Sequence, residues 1–256
     1  MKIQFYGCSY SDGGGMDTKE YYDYIRNEEW VKEYPKETLF DRDGFDNDFK
    51  NYFRYSDVIK RELNCEIKNH SCTGNNNQHI FDTLMNELEN NIGDIHIVQW
   101  SHFWRQKLWY EKTKKFYRLS GFQQDTVAFE ENTDFDYECK DIHNIFNQWL
   151  EHHFNEEYEI QKVVNYTKLL TSYSDNKNIP IYFITFDILP YKNEKFIDFH
   201  NKLNLNGLSN YCNVKGTNYT IQTYTKDKIM DGHLSHVGNK MVAEKIINKL
   251  KQDELL

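Results

Sequence analysis

At 256 residues the chain has room for one large domain or two small ones, and 39% hydrophobic with 16% aromatic content excludes a globally disordered polymer. The formal net charge of −9 repels phosphate backbones, so nucleic acid is not expected as the main partner. Five cysteines (Cys8, Cys65, Cys72, Cys139, Cys212), odd in number and with no CxxC pair, support neither a disulfide framework nor a zinc knuckle.

A reducing compartment, and hence a cytoplasmic location, fits that cysteine usage. No apolar run approaches the ~18 residues that a membrane span needs, so no membrane association is expected. The opening "MKIQFYGCS" carries one lysine and too short an apolar stretch for a signal peptide; it reads as a strand.

In chain order, Lys2–Tyr6 predicts a buried strand that stops at Gly7. Residues 11–47 are loop-like, acidic and rich in Tyr and Gly. Within them "DRDGFDND" (Asp41–Asp48) lacks the glycine placement and the bidentate Glu of a calcium loop, and reads as a solvated turn. Tyr52, Tyr55, Ile59 and Leu63 recur at helical spacing and predict one helix. A second strand follows over Cys65–Ser71. Ile80, Leu84 and Leu88 line a second helix with Gly93 just past its end, and Asp94–Ser101 predicts a third strand.

Residues 102–157 carry many aromatics with charges between them, which fits a lid, a substrate wall or a satellite cluster packed on the main core. Inside this stretch "RQKLWYEKTKKFYR" (Arg105–Arg118) is the one basic patch and reads as a solvated face or loop. Val163, Tyr166 and Leu170 mark another helix. The nearly continuous apolar run Ile179–Ile188 predicts a central strand. A last helix is expected over about Val237–Leu250, with Ser235 as its N-cap. Strands alternating with helices imply a parallel sheet covered on both faces, with its sites at the carboxyl ends of the strands. No repeat or linker divides the chain, so one domain over 1–256 is expected, with aromatic-rich insertions near 11–47 and 102–157.

That rim collects the residues able to do chemistry. Ser9 follows the first strand in "FYGCSYSDGGG" (Phe5–Gly15); alone it reads as a turn residue or a helix N-cap. A serine hydroxyl becomes a nucleophile only with a base to take its proton and donors for the oxyanion. "DGHLSHVGNK" (Asp231–Lys240) supplies Asp231 and His233 two apart, so that in an extended segment both project to one side and the carboxylate orients the ring. His236 is the rival base, expected inside the helix. "NHSCTGNNNQHI" (Asn69–Ile80) joins a strand to a helix through Gly74, where a backbone N–H can approach an anion closely. A capped loop and a simple turn are the bland accounts of these two stretches. Cys8 is expected on the opposite side of the chain from Ser9, in the core. Arg105 could take a carboxylate or a sugar substituent, though an ordinary surface ion pair is the better account of it. Trp100, Trp104 and Trp109 offer stacking faces, with core packing the simpler account of Trp100. No HExxH or other metal-ligand spacing occurs among the ten histidines.

Taken together, "GCSYS" (Gly7–Ser11), "NHSCTGNNN" (Asn69–Asn77) and "DGHLS" (Asp231–Ser235) resemble the first, second and last blocks of the SGNH/GDSL hydrolase family. Cys8 stands where that family commonly has Asp, and Asp-x-His replaces the more usual Asp-x-x-His. The third block, Gly-x-Asn-Asp in the family, departs most: "VQWSH" (Val98–His102) puts Gln99 at the glycine and Ser101 at the asparagine. The resemblance implies a flavodoxin-like three-layer α/β/α sandwich. It implies hydrolysis of a carboxylic ester, with a small-molecule or carbohydrate ester as substrate and no metal or cofactor. Ser9 would be the nucleophile, His233 the base and Asp231 its orienting partner. The oxyanion would be received by the N–H groups of Ser9 and Gly74 with Ser101 or Asn77. Acyl transfer to another alcohol would use the same machinery, and an inactive domain that binds glycan or protein would explain the altered third block.

Overall fold

The computed structural model describes residues 1–8, 47–72, 74–90, 93–103, 105–120, 127–130, 140–185 and 236–256. Their centre is a parallel sheet of β1 (Lys2–Tyr6), β2 (Glu66–Asn69), β3 (Ile95–Trp100) and β7 (Ile181–Thr185), ordered β2-β1-β3-β7. Ile3 pairs with Ile67 on one side and with Ile95 on the other, and His96 pairs with Ile181. Every β1 side chain from Ile3 to Tyr6 and every β3 side chain is buried, as expected where helices cover both faces.

The alternation of side chains sorts the core into two layers. On one face Ile3, Phe5, Ile95, Ile97, Tyr182 and Ile184 pack against α2 (Tyr55–Leu63) and α6 (His236–Gln252), through residues such as Tyr55, Ile59, Val242 and Ile246. On the other face Tyr6, Val98, Trp100, Ile181 and Phe183 meet α3 (Asn77–Glu89) and α5 (Glu156–Lys177), through Ile80, Leu84, Val163 and Leu170. The result is the expected three-layer α/β/α sandwich. Both clusters draw on β7, which is why its run is apolar throughout. Among the described residues, however, β7 ends the strand row rather than occupying the centre expected for it.

Two other expectations need correction. The first predicted helix is two, α1 (Asn47–Phe53) and α2, broken at Arg54, whose extended backbone (φ −67°, ψ 145°) starts the second. The Arg54 guanidinium pairs with Asp57 in the new first turn, and the Asp57 N–H donates to the Arg54 carbonyl at 3.0 Å. The second correction concerns Arg105–Arg118, which forms paired strands rather than a loop. β4 (Gln106–Tyr110), β5 (Lys115–Ser120) and β6 (Val127–Glu130) make an antiparallel meander, with Trp109 directly opposite Phe116. Tyr110, Tyr117 and Leu119 form a small separate core with Ile142 and Phe146 of α4 (Lys140–His152), so this part of the 102–157 stretch is a satellite cluster. Trp109 and Phe116 remain exposed, edge to face at 4.9 Å. Trp100 is buried against Phe183, whereas Trp104 lies outside the described residues.

Candidate active site at the carboxyl rim of the sheet

Because β1, β2 and β3 run parallel, the segments after Tyr6, Asn69 and Trp100 emerge at one rim. Hydrogen bonds tie these segments together. The Asn75 carboxamide donates to the Gly7 carbonyl at 2.9 Å, and the Cys72 N–H reaches the same oxygen at 3.3 Å. Gln99 holds the other side of that turn: its Oε1 accepts from the Cys8 N–H at 3.0 Å and from the Cys8 thiol at 3.3 Å. Gln99 thus has a structural task at the position where the resembled family has glycine. Cys8 is fully buried in the α2/α6 face, as expected for a core side chain.

Gly74 is buried and has φ +73°, a conformation that a side chain would disfavour. Its N–H makes no hydrogen bond among the described residues. Asn76 caps α3 by accepting from the His79 N–H at 2.9 Å, and the first turn of this helix holds no acidic residue. Its positive end is therefore uncompensated within the turn. The Asn76 amide nitrogen and the Asn75 carboxamide oxygen are buried without hydrogen-bond partners among the described residues, in side chains only 1% exposed.

Asn77 and Ser101 meet, but not through free donors. The Ser101 N–H donates to Asn77 Oδ1 at 2.7 Å, and Asn77 Nδ2 donates to the Ser101 carbonyl at 3.0 Å and to the His102 carbonyl at 3.5 Å. Both ends of the Asn77 carboxamide therefore clamp the segment after β3 onto the start of α3. The Ser101 hydroxyl accepts from Arg105 Nη1 at 3.1 Å, and the same nitrogen lies 3.5 Å from the Asn75 carbonyl. Arg105 is half-buried. Among the described residues it has no carboxylate partner, so the expected surface ion pair does not form there.

Ser9, Asp231 and His233 lie outside the described residues, as do Ser235, residues 11–46 and the 200–230 stretch. His236 opens α6 as a buried residue, one position before the expected helix start. Among the described residues no group of His, Cys, Asp and Glu is placed to hold a metal ion. No described helix is long and apolar enough to cross a membrane. Sequence reasoning missed the roles of Gln99 and Asn75; the one signal for Gln99 was a polar residue, beside His96 the second, inside a largely apolar strand.

A second polar cluster lies under the rim, on the α3 face. The Tyr6 hydroxyl is 3.0 Å from His96 Nδ1, and Tyr6 stacks on His70 at 4.8 Å. His70 Nε2 donates to Gln4 Oε1 at 2.6 Å and lies 3.9 Å from Glu87, which also takes Lys68 at 3.2 Å. Burial holds both imidazoles down to about 4, helped at His70 by Lys68 and opposed by Glu87. Burial also pushes the Tyr6 hydroxyl well above the usual phenol range.

No protein-family model matches the sequence, and no curated protein matches it. Solved structures do share its architecture. The psychrotrophic esterase EstA from Pseudoalteromonas sp., solved inhibited by monoethylphosphonate, is 9% identical with a TM-score of 0.50, covering 100% of this chain and 99% of that one. A G-D-S-L family protein from Desulfitobacterium hafniense DCB-2 is 9% identical, with a TM-score of 0.44 and coverage of 97% and 99%. A family two carbohydrate esterase from Clostridium thermocellum, solved with cellohexaose, is 13% identical with a TM-score of 0.47; the match takes in 99% of this chain and 64% of that one. At such identities the likeness, carried by EstA, is one of fold alone: a three-layer α/β/α sandwich.

Proposed function

We propose that the chain hydrolyses a carboxylic ester with Ser9 as nucleophile, within a single SGNH-like domain spanning 1–256. His233, oriented by Asp231, takes the hydroxyl proton as the serine oxygen attacks the carbonyl carbon. The same proton then goes to the departing alcohol. Water repeats the sequence on the acyl-serine and releases the acid. The N–H groups of Ser9 and Gly74 receive the oxyanion. The observation that carries this reading is Gly74: a buried, left-handed glycine at the rim whose N–H is unused, with Asn75 bonding its turn to the residue after β1. A preorganised backbone donor of this kind stabilises charge that develops only in the transition state.

The carbohydrate part of the proposal draws on the exposed Trp109–Phe116 pair, an aromatic surface suited to a pyranose ring. A second reading, an SGNH-like domain that binds without turnover, draws on Asn77 and Ser101. Both ends of the Asn77 carboxamide are already engaged, and Ser101 keeps only its hydroxyl proton to donate, which leaves the third block without a free carboxamide like that of the resembled family.

Turnover of p-nitrophenyl acetate by wild type and Ser9→Ala separates the two readings. The esterase reading expects a loss of ~10³-fold or more and fluorophosphonate labelling that maps to Ser9. Equal rates, or labelling at another residue, refute the assignment.

A further inference from the structure

The Gly7–Cys8 peptide is held on both edges. Its carbonyl oxygen accepts from Asn75 Nδ2 at 2.9 Å and from the Cys72 N–H at 3.3 Å. Its N–H donates to Gln99 Oε1 at 3.0 Å, and the same oxygen takes the Cys8 thiol at 3.3 Å. Gln99 is itself fixed, because its Nε2 donates to the Trp100 carbonyl. A peptide unit is planar, with its oxygen and its N–H on opposite edges. Bonds to both edges, one side from the segment after β2 and the other from β3, stop the plane from turning about its own long axis.

The place where this happens gives it a use beyond packing. β1 pairs with β3 only as far as Tyr6 opposite Val98, whereas β3 goes on pairing with β7 to Trp100. Past Tyr6 the Gln99 side chain supplies the bond to Cys8 that the strand ladder no longer makes. α2 and α3 lie on opposite faces, so the strand order reverses between β1 and β3, and in open parallel sheets that reversal is where ligands bind. Gln99 is fully buried and Asn75 only 1% exposed, so both act on the chain rather than on a bound molecule. The residue that follows the pinned peptide is Ser9, and the residue that precedes Asn75 is Gly74, whose N–H is unused among the described residues.

We propose that Gln99 and Asn75 are positioning residues for the acyl transfer: by pinning the Gly7–Cys8 peptide they set the direction from which Ser9 attacks and its spacing from the Gly74 N–H. The inference rests on the esterase reading. It also accounts for two departures from the resembled family at once. An acceptor at Gln99 Oε1 calls for a donor at position 8, which a thiol supplies and an ionised carboxylate does not. Preorganisation of this kind is worth a large factor in rate, since a misplacement of about 1 Å can cost about 10²-fold.

Hydrolysis of p-nitrophenyl acetate and fluorophosphonate labelling of the full chain test it, in wild type, Gln99→Met, Asn75→Ala and Gly93→Ala, each with a melting curve to fix the folded fraction. Gln99→Met keeps a side chain of similar length and removes the oxygen that Cys8 bonds. Its kcat and labelling rate are expected to fall about 10²-fold, with KM within about threefold of wild type. Asn75→Ala folds even where Gln99→Met does not, because the Gly7 carbonyl keeps the Cys72 N–H and Asn75 Oδ1 has no hydrogen-bond partner among the described residues. A fall in kcat of about tenfold is expected there, again without a matching rise in KM. Gly93→Ala controls for stability: it strains the chain before β3, at the opposite rim of the sheet, and leaves kcat per folded molecule unchanged. Wild-type kcat in folded Gln99→Met or Asn75→Ala overturns the proposal, as does a change in KM alone or an equal loss of kcat in Gly93→Ala. Wild type that is not labelled at Ser9 removes the esterase reading and this one together. Labelling at Ser9 that the variants do not slow removes only this one.

Discussion

Replacing Asn77 by Ala is the most direct probe of how the rim is assembled. The substitution removes the acceptor of the Ser101 N–H at 2.7 Å and the donor to the Ser101 carbonyl at 3.0 Å. Ser101 is only 4% exposed, so water does not readily replace either partner. A buried backbone group left unpaired costs about 1–3 kcal/mol, so two cost about 2–6 kcal/mol. Asn77 opens α3, where alanine is a good helix former, and that gain of a few tenths of a kcal/mol does not offset the loss. The sum is a large share of the roughly 5–15 kcal/mol that holds a typical protein folded. Urea unfolding followed by circular dichroism measures it; with a slope of about 2–3 kcal/mol/M, the midpoint falls by about 1–3 M. Asn77→Asp refines the test: it keeps an acceptor for Ser101 N–H but turns an oxygen toward the Ser101 and His102 carbonyls. It is expected to destabilise despite the favourable placement of an acid at a helix start. An unchanged midpoint in Asn77→Ala, or a gain in stability in Asn77→Asp, refutes the clamp.

Three other outcomes follow from the same packing. His70 and His96 titrate near 4 when folded against 6.5 for a free imidazole, so the unfolded chain binds more protons between those values. Stability is then full above about pH 6.5 and falls as pH drops toward 4, by at most about 3 kcal/mol per ring. The two rings share Tyr6 and Glu87 as neighbours, with Lys68 and Lys2 acting on His70 and Asp94 on His96, so the losses are not independent. Urea midpoints at pH 7.5 and 5.0 check this, and a flat profile that His70→Gln does not alter contradicts it. Gly93→Ala would set a Cβ 2.7 Å from the Gln4 side chain at φ +94°; a drop of about 1–3 kcal/mol is expected, and a neutral melting temperature tells against it. Tyr182→Phe deletes the 2.5 Å bond to Asp253, whose carboxyl is held low by Lys249 and then by this hydroxyl. A loss of about 1 kcal/mol near pH 7, shrinking as Asp253 protonates at low pH, is expected from unfolding at both pH values; a pH-independent loss counts against the bond.

What was legible in the sequence was whatever is buried on both sides. β1, β3 and β7 are largely apolar runs because helices cover both faces, and α3 shows its core stripe in Ile80-Leu84-Leu88; in α6 the readable Ile246 and Leu250 are core, whereas Val242 rather than Met241 completes the buried stripe. The break at Arg54 left no mark, since an extended arginine at a helix start is a local choice fixed by Asp57 and by the packing of Tyr55. The meander hid behind its charges. Leu108 and Tyr117 point to the small core while Trp109 and Phe116 face water, so the apolar and polar residues do not separate into a clean alternation. At the rim, Gly74 was readable because a strand, a glycine and a helix cap follow one another. Gln99 was not, because its value lies in reaching across to the Cys8 N–H in the turn after β1.

The separate core beneath the meander also bears on how such a chain is remodelled. Tyr110, Tyr117 and Leu119 are satisfied by Ile142 and Phe146, not by the central layers. An excision or graft in that region would trade away its own small cluster and leave the register of the parallel strands untouched. Arg105 is the residue immediately before β4 and reaches back to Ser101 and Asn75. Exchanging the meander while retaining residues up to 105 would therefore give a family of chimaeras that share one scaffold and differ only in what stands beside the rim.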